Sequence, residues 1–344
     1  MIWSQGFGFA DLERKIPAAP DTPYRLASVS KPFAAILIMQ LVEKGATAKK
    51  GGLDLDTPMR EFTIHPWFEP GGGSWAHYPT RYVDKPITVR HVLTHTSEAD
   101  PPGDAYKYNG TIFGDLTWVI EDVTKKSYPD VLREQILDPL QMQRTLPGQL
   151  VPWGQKTAAE IAKPYALKEG SAVPGTYPGF GLEPDLDVAP WNLEPAYRQP
   201  VATAAARKTL LGKAYTPLYS SQTAAGMVST VEDLARFDIA FDAGKLVSAA
   251  SREQMFTPAR DSKGKDLPYG LGWFVETIDG IRLVWHYGWF PPTVSALYLK
   301  VPEKKITFLL LSNCDGLSAG MAWTAQGIHA SPYARLFLEH FVSP

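Results

Sequence analysis

Two hydrophobic periods divide the chain into regions of different secondary structure. Residues 28–44 contain no turn signal except Pro32, which the first turn of a helix tolerates, and Gly45 suits a helix end. This pattern predicts a helix, and its apolar run 34–39 indicates that other elements enclose it. From about residue 268 the period becomes that of strands. The predicted strands are 271–276, 281–286 after an Asp279-Gly280 turn, 293–300 and 305–312.

The middle of the chain has helical patterns joined by long connections. Thr88 is a suitable cap for a helix over 89–94, and Ser127 followed by Asp130 is typical of the next helix start. Ser229-Thr230-Val231-Glu232 predicts a further helix that ends near Gly244, and Ser331-Pro332 predicts a C-terminal one. One apolar stripe of helical period comprises Ile112, Phe113, Leu116, Val119, Ile120 and Val123. Residues 146–220 are rich in Pro, Gly and Ala and give no assignment.

This order of elements predicts an α+β fold. We expect an antiparallel sheet flanked by helices and built from both chain ends, with a mainly helical domain inserted between them. Residues 1–55 and 250–344 would form the sheet domain, and residues 56–249 the helical domain. The cleft between the two domains is the natural place for an active site.

Composition and charge narrow the classes of function. A chain of 344 residues with 44% hydrophobic and 20% charged residues is long enough for a large core and is not typical of disorder. The sequence has 34 basic and 36 acidic residues, which gives a net charge of -2. This balance lacks the excess of positive charge that is typical of proteins that bind nucleic acids or anionic membranes. We therefore expect a small-molecule partner.

Cysteine content and apolar runs add little about location. Cys314 is the single cysteine, which excludes an internal disulfide and a cysteine-rich metal site. No run of 18 apolar residues predicts a transmembrane helix. Residues 1–6 lack the basic and apolar regions of a secretory signal, so the sequence leaves both cytoplasm and periplasm open.

The main chemical signal is Ser28-Val29-Ser30-Lys31, an S-x-x-K motif at a predicted helix start. Three positions apart on a helix, Ser28 and Lys31 share one face, where the amine can reach the hydroxyl. A lysine that loses water on burial becomes a base able to activate serine. The helix N-terminus also offers N–H groups to an oxyanion. This predicts a serine hydrolase with a covalent acyl-enzyme and no cofactor; the alternative is a capping serine beside a surface lysine.

Two further segments carry candidate chemistry. Tyr108 precedes the helix that begins near Thr111, where a phenol can take part in proton transfer; the alternative is a packing tyrosine. Trp285-His286-Tyr287-Gly288-Trp289 ends a predicted strand. Gly288 there permits close approach of a ligand to the strand edge, and the alternative is a bulge.

Several segments in order resemble the serine β-lactamase and penicillin-binding protein superfamily. The resemblance is to its class C-like branch, which includes family VIII carboxylesterases and D-amino-acid-releasing peptidases, and it covers nearly the whole chain. The matching segments are 25–32 around the S-x-x-K motif, 87–97 (I-T-V-R-H-V-L-T-H-T-S), 138–140, 226–234 and 269–273.

The resemblance implies roles for particular residues. Ser28 would be the nucleophile, Lys31 its base partner and Tyr108 the tyrosine of the Y-x-N motif. His286-Tyr287-Gly288 would replace the K-T-G strand motif as part of the substrate-binding edge. The backbone N–H groups of Ser28 and Trp289 would form the oxyanion hole.

Three departures from the family pattern stand out. Gly110 occupies the position of the family's asparagine, which argues against efficient β-lactam turnover unless the motif is shifted by one residue to Asn109. Glu98 replaces the usual glycine after Thr96-Ser97, as loop variation. Members also commonly have a strand before Trp3, so the resemblance implies a truncated start.

Competing motifs are weaker. Gly316-Leu317-Ser318-Ala319-Gly320 matches the G-x-S-x-G elbow of α/β-hydrolases, but the short tail after Ser318 cannot hold the required acid, histidine and βα units. His91 and His95 have zinc-ligand spacing without the glutamate of H-E-x-x-H. Glycines 71–73 lack the lysine of a phosphate loop, and the aromatic-rich stretch 67–82 either lines an acyl pocket or packs.

Three functional hypotheses follow. The first is hydrolysis of small carboxylic esters. The second is processing of β-lactams, D-Ala-D-Ala peptides or D-amino-terminal peptides by the same chemistry. The third is a non-catalytic penicillin-binding-like sensor. The sequence gives no indication of oligomeric state.

Overall fold

The computed structural model describes residues 1–45, 47–48, 51–62, 86–148, 153–168, 171–174, 223–321 and 323–342. The strands are β1 Phe9–Asp11, β2 Ile16–Pro17, β3 Tyr24–Arg25, β4 Thr47–Ala48, β5 Gly51–Gly52, β6 Tyr165–Lys168, β7 Ser171–Pro174, β8 Val228–Ser229, β9 Phe274–Ile278, β10 Ile281–Phe290, β11 Val294–Val301 and β12 Ile306–Ser312. The helices are α1 Lys31–Glu43, α2 Val89–Leu93, α3 Gly110–Phe113, α4 Leu116–Thr124, α5 Tyr128–Leu132, α6 Gln155–Ala159, α7 Val231–Asp242, α8 Ala249–Met255, α9 Trp323–Gln326 and α10 Pro332–Phe341.

A four-stranded antiparallel sheet with the order β12-β11-β10-β9 confirms the α+β fold class. Its first hairpin turns at Asp279-Gly280, where both residues have positive φ, 51° and 77°, as a tight turn that matches strand twist requires. Strand β10 extends four residues beyond its predicted end. It pairs with β11 up to Phe290 but with β9 only up to Trp285, so that residues 286–290 extend past β9 along one edge.

Helix α1 lies at the centre of the main core and confirms the helix predicted over 28–44. A 3-10 turn, Ala27–Ser30, precedes it, and its first eleven residues are buried. The Phe33 ring stacks on Phe237 of α7 with centroids 3.9 Å apart. Gly272, at φ +82°, packs against the other side of α1, where an added Cβ would lie 2.4 Å from the Ala35 Cβ. A helix enclosed in this way has no polar face, as its sequence predicts.

The helical region follows most of the predicted starts. Thr88 and Ser127 cap α2 and α5, but Thr230, not Ser229, caps α7 by accepting from the Asp233 N–H at 3.0 Å. The apolar stripe of 112–123 forms two helices, α3 and α4, instead of one. The Thr223 hydroxyl donates to the Phe113 carbonyl at 2.9 Å, and this bond satisfies a carbonyl at the break.

The opposite face of the sheet is covered by the C-terminal helix α10, whose Phe337 ring stacks on Phe308 of β12 at 4.7 Å. Short strand pairs connect distant parts of the chain: β3 pairs with β8, so that Tyr24 lies opposite Ser229. The division into 1–55 with 250–344 and 56–249 stays a prediction. Glycines 71–73 and the aromatic stretch 67–82 lie outside the described residues.

Candidate active site

Ser28 lies in the 3-10 turn that leads into α1, half-buried between the buried residues Ala27 and Val29. Ala27 has a φ of 44°, a left-handed conformation that is strained for a residue with a Cβ and that often marks functional sites. Ser30 stabilises the turn, since its hydroxyl donates to the Ala27 carbonyl at 2.7 Å and accepts from the Met227 N–H at 3.2 Å. The turn therefore presents Ser28 from a fixed backbone.

Lys31 begins α1 and has no exposed surface. Its Nζ lies 2.9 Å from Ser28 Oγ and donates to the Ala224 carbonyl at 2.8 Å. Burial lowers the pKa of the Lys31 amine to about 7, because a charged ammonium loses its hydration there. Near neutral pH a large fraction of the amine is thus uncharged and able to accept the serine proton.

Tyr108 lies near the end of the 94–109 loop, two residues before helix α3. Its ring packs on His95 at 4.3 Å and on Phe274 at 6.1 Å between centroids, and Lys31 Nζ lies 5.1 Å from its centre. The hydroxyl is buried and has no hydrogen-bond partner of standard geometry. Burial raises the pKa of this phenol, and an interaction with Ser28 offsets a part of the rise. The structure thus brings a protonated phenol close to Ser28 and Lys31.

The two residues after Tyr108, Asn109 and Gly110, differ in their distance from Lys31. Asn109 is the N-cap of α3: its Oδ1 accepts from the Ile112 N–H at 3.1 Å, and its Nδ2 donates to Glu98 at 2.9 Å. A Cβ added at Gly110 would lie 3.7 Å from Lys31 Nζ with no other heavy atom within 4 Å. Gly110, not Asn109, therefore lies beside Lys31. Because glycine has no side chain, position 110 places no polar group next to the amine.

The open edge of β10 meets the serine turn at Gly288. A Cβ at this position would lie 2.0 Å from the Leu26 carbonyl oxygen, so only glycine allows the contact. On its other side, the Ser318 hydroxyl donates to the Gly288 carbonyl at 3.3 Å. The contact brings Trp289, which is 40% exposed, and Ser28 to the same part of the molecule.

His286 has no exposed surface, and both of its ring nitrogens have partners inside the protein. Nδ1 lies 2.7 Å from the Tyr287 carbonyl and Nε2 lies 2.8 Å from the Tyr269 hydroxyl. Because a carbonyl only accepts, Nδ1 donates and Nε2 accepts from the tyrosine. Burial and the nearby Lys31 lower the pKa of His286 well below its ordinary value. A neutral His286 thus supports the strand from within, and its predicted part in binding substrate stays a prediction.

Tyr287, on the same strand, stacks on Trp323 with ring centroids 4.9 Å apart and planes 8° apart, and it is 9% exposed. Neither Trp323 nor Tyr269 was a candidate from the sequence, although Tyr269 lies in one of the matching family segments. No local pattern marks them, since each acts through a partner far away in sequence.

His95, considered above as a zinc ligand, is a buried histidine of the site's aromatic wall. Its Nδ1 accepts from the Asn109 N–H at 3.2 Å, and burial lowers its pKa well below the ordinary value. The described part of the chain contains no cluster of His, Cys, Asp and Glu suited to a metal ion. Within the same residues no helix has both the length and the hydropathy needed to cross a membrane.

Ser318 of the G-x-S-x-G match has no exposed surface and follows β12 of the antiparallel sheet. Its hydroxyl contacts the Gly288 carbonyl, not a histidine. The structure therefore agrees with the rejection of a nucleophile elbow at this serine.

Comparison with known proteins decides the family. The beta-lactamase family model matches residues 1–330. The chain belongs to the beta-lactamase family. In this chain the serine and the lysine of the S-x-x-K motif, Ser28 and Lys31, are in contact.

The curated relatives of this chain have low sequence identity to it. Penicillin-binding protein 4* of Bacillus subtilis (strain 168) is 24% identical over 327 residues, which cover 91% of this chain and 65% of that protein. The chain thus spans slightly less than two thirds of this relative's length. Identity of this order supports the family and leaves substrate open.

Solved structures show the same fold. The octameric penicillin-binding protein homologue from Pyrococcus abyssi has a TM-score of 0.66 at 22% identity, over 98% of this chain and 70% of that one. D-amino acid amidase from Ochrobactrum anthropi SV3 has a TM-score of 0.61 at 20% identity, over 96% and 89%. EstCE1, a hydrolase with promiscuous acyltransferase activity, has a TM-score of 0.60 at 19% identity, over 95% and 88%.

Proposed function

We propose that the protein hydrolyses small carboxylic esters through an acyl-enzyme on Ser28. One observation carries the proposal: the buried Lys31 amine, with its pKa lowered to about 7, lies 2.9 Å from Ser28 Oγ. A serine hydroxyl is a weak nucleophile until a nearby base takes its proton. A non-catalytic sensor has no need of a lysine whose charge is destabilised by burial.

In the proposed reaction the Ser28 proton moves to Lys31 Nζ while Oγ forms a bond to the ester carbonyl carbon. The carbonyl electrons move to oxygen, and the resulting oxyanion is held by the backbone N–H groups of Ser28 and Trp289. Collapse of this intermediate breaks the bond to the leaving alkoxide, which takes a proton from the Lys31 and Tyr108 pair.

Deacylation repeats these steps with water. The Lys31 and Tyr108 pair takes a proton from water as its oxygen attacks the acyl carbon, and a second oxyanion forms in the same place. The bond from the acyl carbon to Oγ then breaks, and Oγ recovers its proton. No metal or cofactor takes part in these steps.

Position 110 favours esters over β-lactams within this chemistry. Gly110 lies beside Lys31, where the family's motif has an asparagine amide. Without that amide the site has one polar group fewer to hold an amide side chain or to orient the lysine. Esters depend less on such help, because an alkoxide leaves more readily than an amine.

A second candidate is hydrolysis of an amide, such as a D-amino acid amide or a D-Ala-D-Ala peptide. The structural similarity to a D-amino acid amidase supports it, as the similarity to EstCE1 supports the ester. Both use the same acyl-enzyme and differ in the leaving group, so kinetics on matched substrates separates them.

The first test is covalent labelling with a fluorophosphonate, followed by intact mass and peptide mapping. We expect one adduct on wild-type protein, none on Ser28→Ala, and an adduct on Ser318→Ala, the serine of the rejected elbow motif. Wild-type protein that stays unlabelled beside a known serine hydrolase in the same tube would support the sensor instead.

The second test compares turnover of p-nitrophenyl butyrate, a D-amino acid p-nitroanilide and a chromogenic cephalosporin. We expect the largest kcat/KM for the ester. A larger value for the anilide would establish the amidase, and a larger value for the cephalosporin would contradict the importance of Gly110.

A further inference from the structure

The two residues that flank Tyr108 are each held in two ways. Their backbones bind His95: the Lys107 N–H donates to the His95 carbonyl at 2.8 Å, and the Asn109 N–H donates to His95 Nδ1 at 3.2 Å. Their side chains bind Glu98: Lys107 Nζ lies 2.8 Å from Oε1, and Asn109 Nδ2 donates to Oε2 at 2.9 Å. Tyr108 is thus the middle residue of a doubly held segment.

Glu98 lies in the turn that follows α2, and its side chain is 14% exposed. The hydrogen bonds that begin at Glu98 continue toward the lysine, since Asn109 caps α3 and the first residue of α3 is Gly110, beside Lys31.

We propose that Glu98 is a positioning residue for Tyr108, and that it acts by holding Lys107 and Asn109 on either side of the phenol. The proposal rests on the proposed function, in which Tyr108 transfers protons. A shift of about 1 Å in a group that transfers protons can cost about 100-fold in rate, so a bond that fixes its backbone is significant.

The two bonds of Glu98, to Lys107 and to Asn109, differ in how much each contributes to holding the backbone around Tyr108. Lys107 is 67% exposed, and such an ion pair contributes little because solvent screens it. The bond to Asn109 is charge-assisted and partly buried, and its loss would free the amide that is part of the α3 cap. We therefore assign the positioning effect chiefly to the pair of Glu98 and Asn109.

The test is a double-mutant cycle with Tyr108→Phe, using hydrolysis of an activated p-nitrophenyl ester. We expect Glu98→Ala to lower kcat by about 10- to 100-fold with little change in KM, because the substrate contacts are kept. In the Tyr108→Phe background the same substitution should cost less than about twofold, because the hydroxyl on which it acts is missing.

Matched variants separate positioning from stability. Glu98→Gln keeps an acceptor for Asn109 and should recover most of the lost kcat. Lys107→Met should cost less than about threefold, as an exposed ion pair does. Glu134→Ala removes a glutamate from another exposed ion pair, with Lys126, and should leave kcat unchanged.

Hydrogen–deuterium exchange of the peptide over 104–113 reports on the same bonds without catalysis. Exchange should rise in Glu98→Ala and stay at the wild-type level in Glu134→Ala. Unchanged exchange, or an equal loss of kcat in both backgrounds of the cycle, would overturn the positioning role. Failure of the proposed function would show separately, as absence of the Ser28 adduct in wild-type protein.

Discussion

The α-carbon of Gly288 packs against the carbonyl oxygen of Leu26, where an added Cβ would lie 2.0 Å from that oxygen. This contact joins the open edge of β10 to the turn that carries Ser28. It sets the separation of the two backbone N–H groups that we propose for the oxyanion hole. Neither side can give way easily, because Leu26 is itself held by a bond from its N–H to the Met227 carbonyl at 2.9 Å.

We expect Gly288→Ala to separate the strand from the serine turn. The rate of ester hydrolysis should fall by about 100-fold or more, since a donor moved from the oxyanion costs about as much as its removal. The free energy of unfolding should fall by about 1–3 kcal/mol because of overpacking. Urea unfolding and kcat/KM measure both effects.

A suitable control for that substitution is Gly264→Ala. Gly264, unlike Gly288, has a positive φ of +79°, and no heavy atom lies near an added Cβ, so its variant introduces backbone strain but no clash with the serine turn. Its activity should equal that of the wild type. A Gly288→Ala protein with full kcat/KM would show that the edge of β10 takes no part in binding the oxyanion.

The pH dependence of kcat/KM should follow the titration of the Lys31 amine. The pKa of Lys31 is lowered to about 7, and the base must be uncharged to take the serine proton. Activity should therefore be low at pH 5 and rise through an apparent pKa of about 7. An activity that is constant between pH 5 and 9 would contradict Lys31 as the base.

Lys31→Met should stabilise the protein in a pH-dependent manner. The amine has a pKa of about 7 in the folded chain and an ordinary value of 10.5 when unfolded, so between these values the unfolded chain binds more protons. The cost of burying the charged form is thus complete below pH 7 and decreases as the pH rises toward 10.5.

Thermal unfolding at pH 6 and pH 9.5 measures this effect. The gain in Tm for Lys31→Met should be larger at pH 6, and hydrolysis should be lost at both. Lys125→Met, at a side chain that is 70% exposed, is the control and should give a small shift. A gain that increases with pH would show that the folded pKa is not lowered.

Tyr269→Phe should destabilise the protein at the buried His286, which supports strand β10. The substitution removes the hydroxyl that donates to His286 Nε2 and leaves a buried acceptor unpaired, which costs about 1–3 kcal/mol. Chemical unfolding should show this loss, and Tyr333→Phe, at a 40% exposed position, should show none. Equal stability of the two variants would mean that the bond contributes nothing.

The sequence predicts what depends on local pattern. The S-x-x-K motif at a helix start, the Thr88 cap and the Asp279-Gly280 turn each involve residues within a few positions of one another, and the structure has all three features. The segment Ser229-Thr230-Val231-Glu232 predicts a helix start without deciding which residue caps it, because adjacent Ser and Thr both suit a cap. Only the Asp233 N–H shows that Thr230 is chosen.

What the sequence could not predict depends on distant partners. The hydrogen bond between the buried His286 and Tyr269 is one such feature, because no local pattern connects these two residues. The space at Gly110 has meaning only once α3 lies beside Lys31. The role of Glu98 was also missed, because a loop substitution carries no signal until the fold brings Asn109 to it.

The bond from Lys31 Nζ to the Ala224 carbonyl joins atoms 193 positions apart in the chain. In a chain without this contact, a hydrated Lys31 amine would keep the charge of an exposed lysine, and Ser28 would lack an uncharged base. On the proposed function, we therefore expect reactivity toward acyl compounds only in the folded molecule, in which positions 31 and 224 are joined.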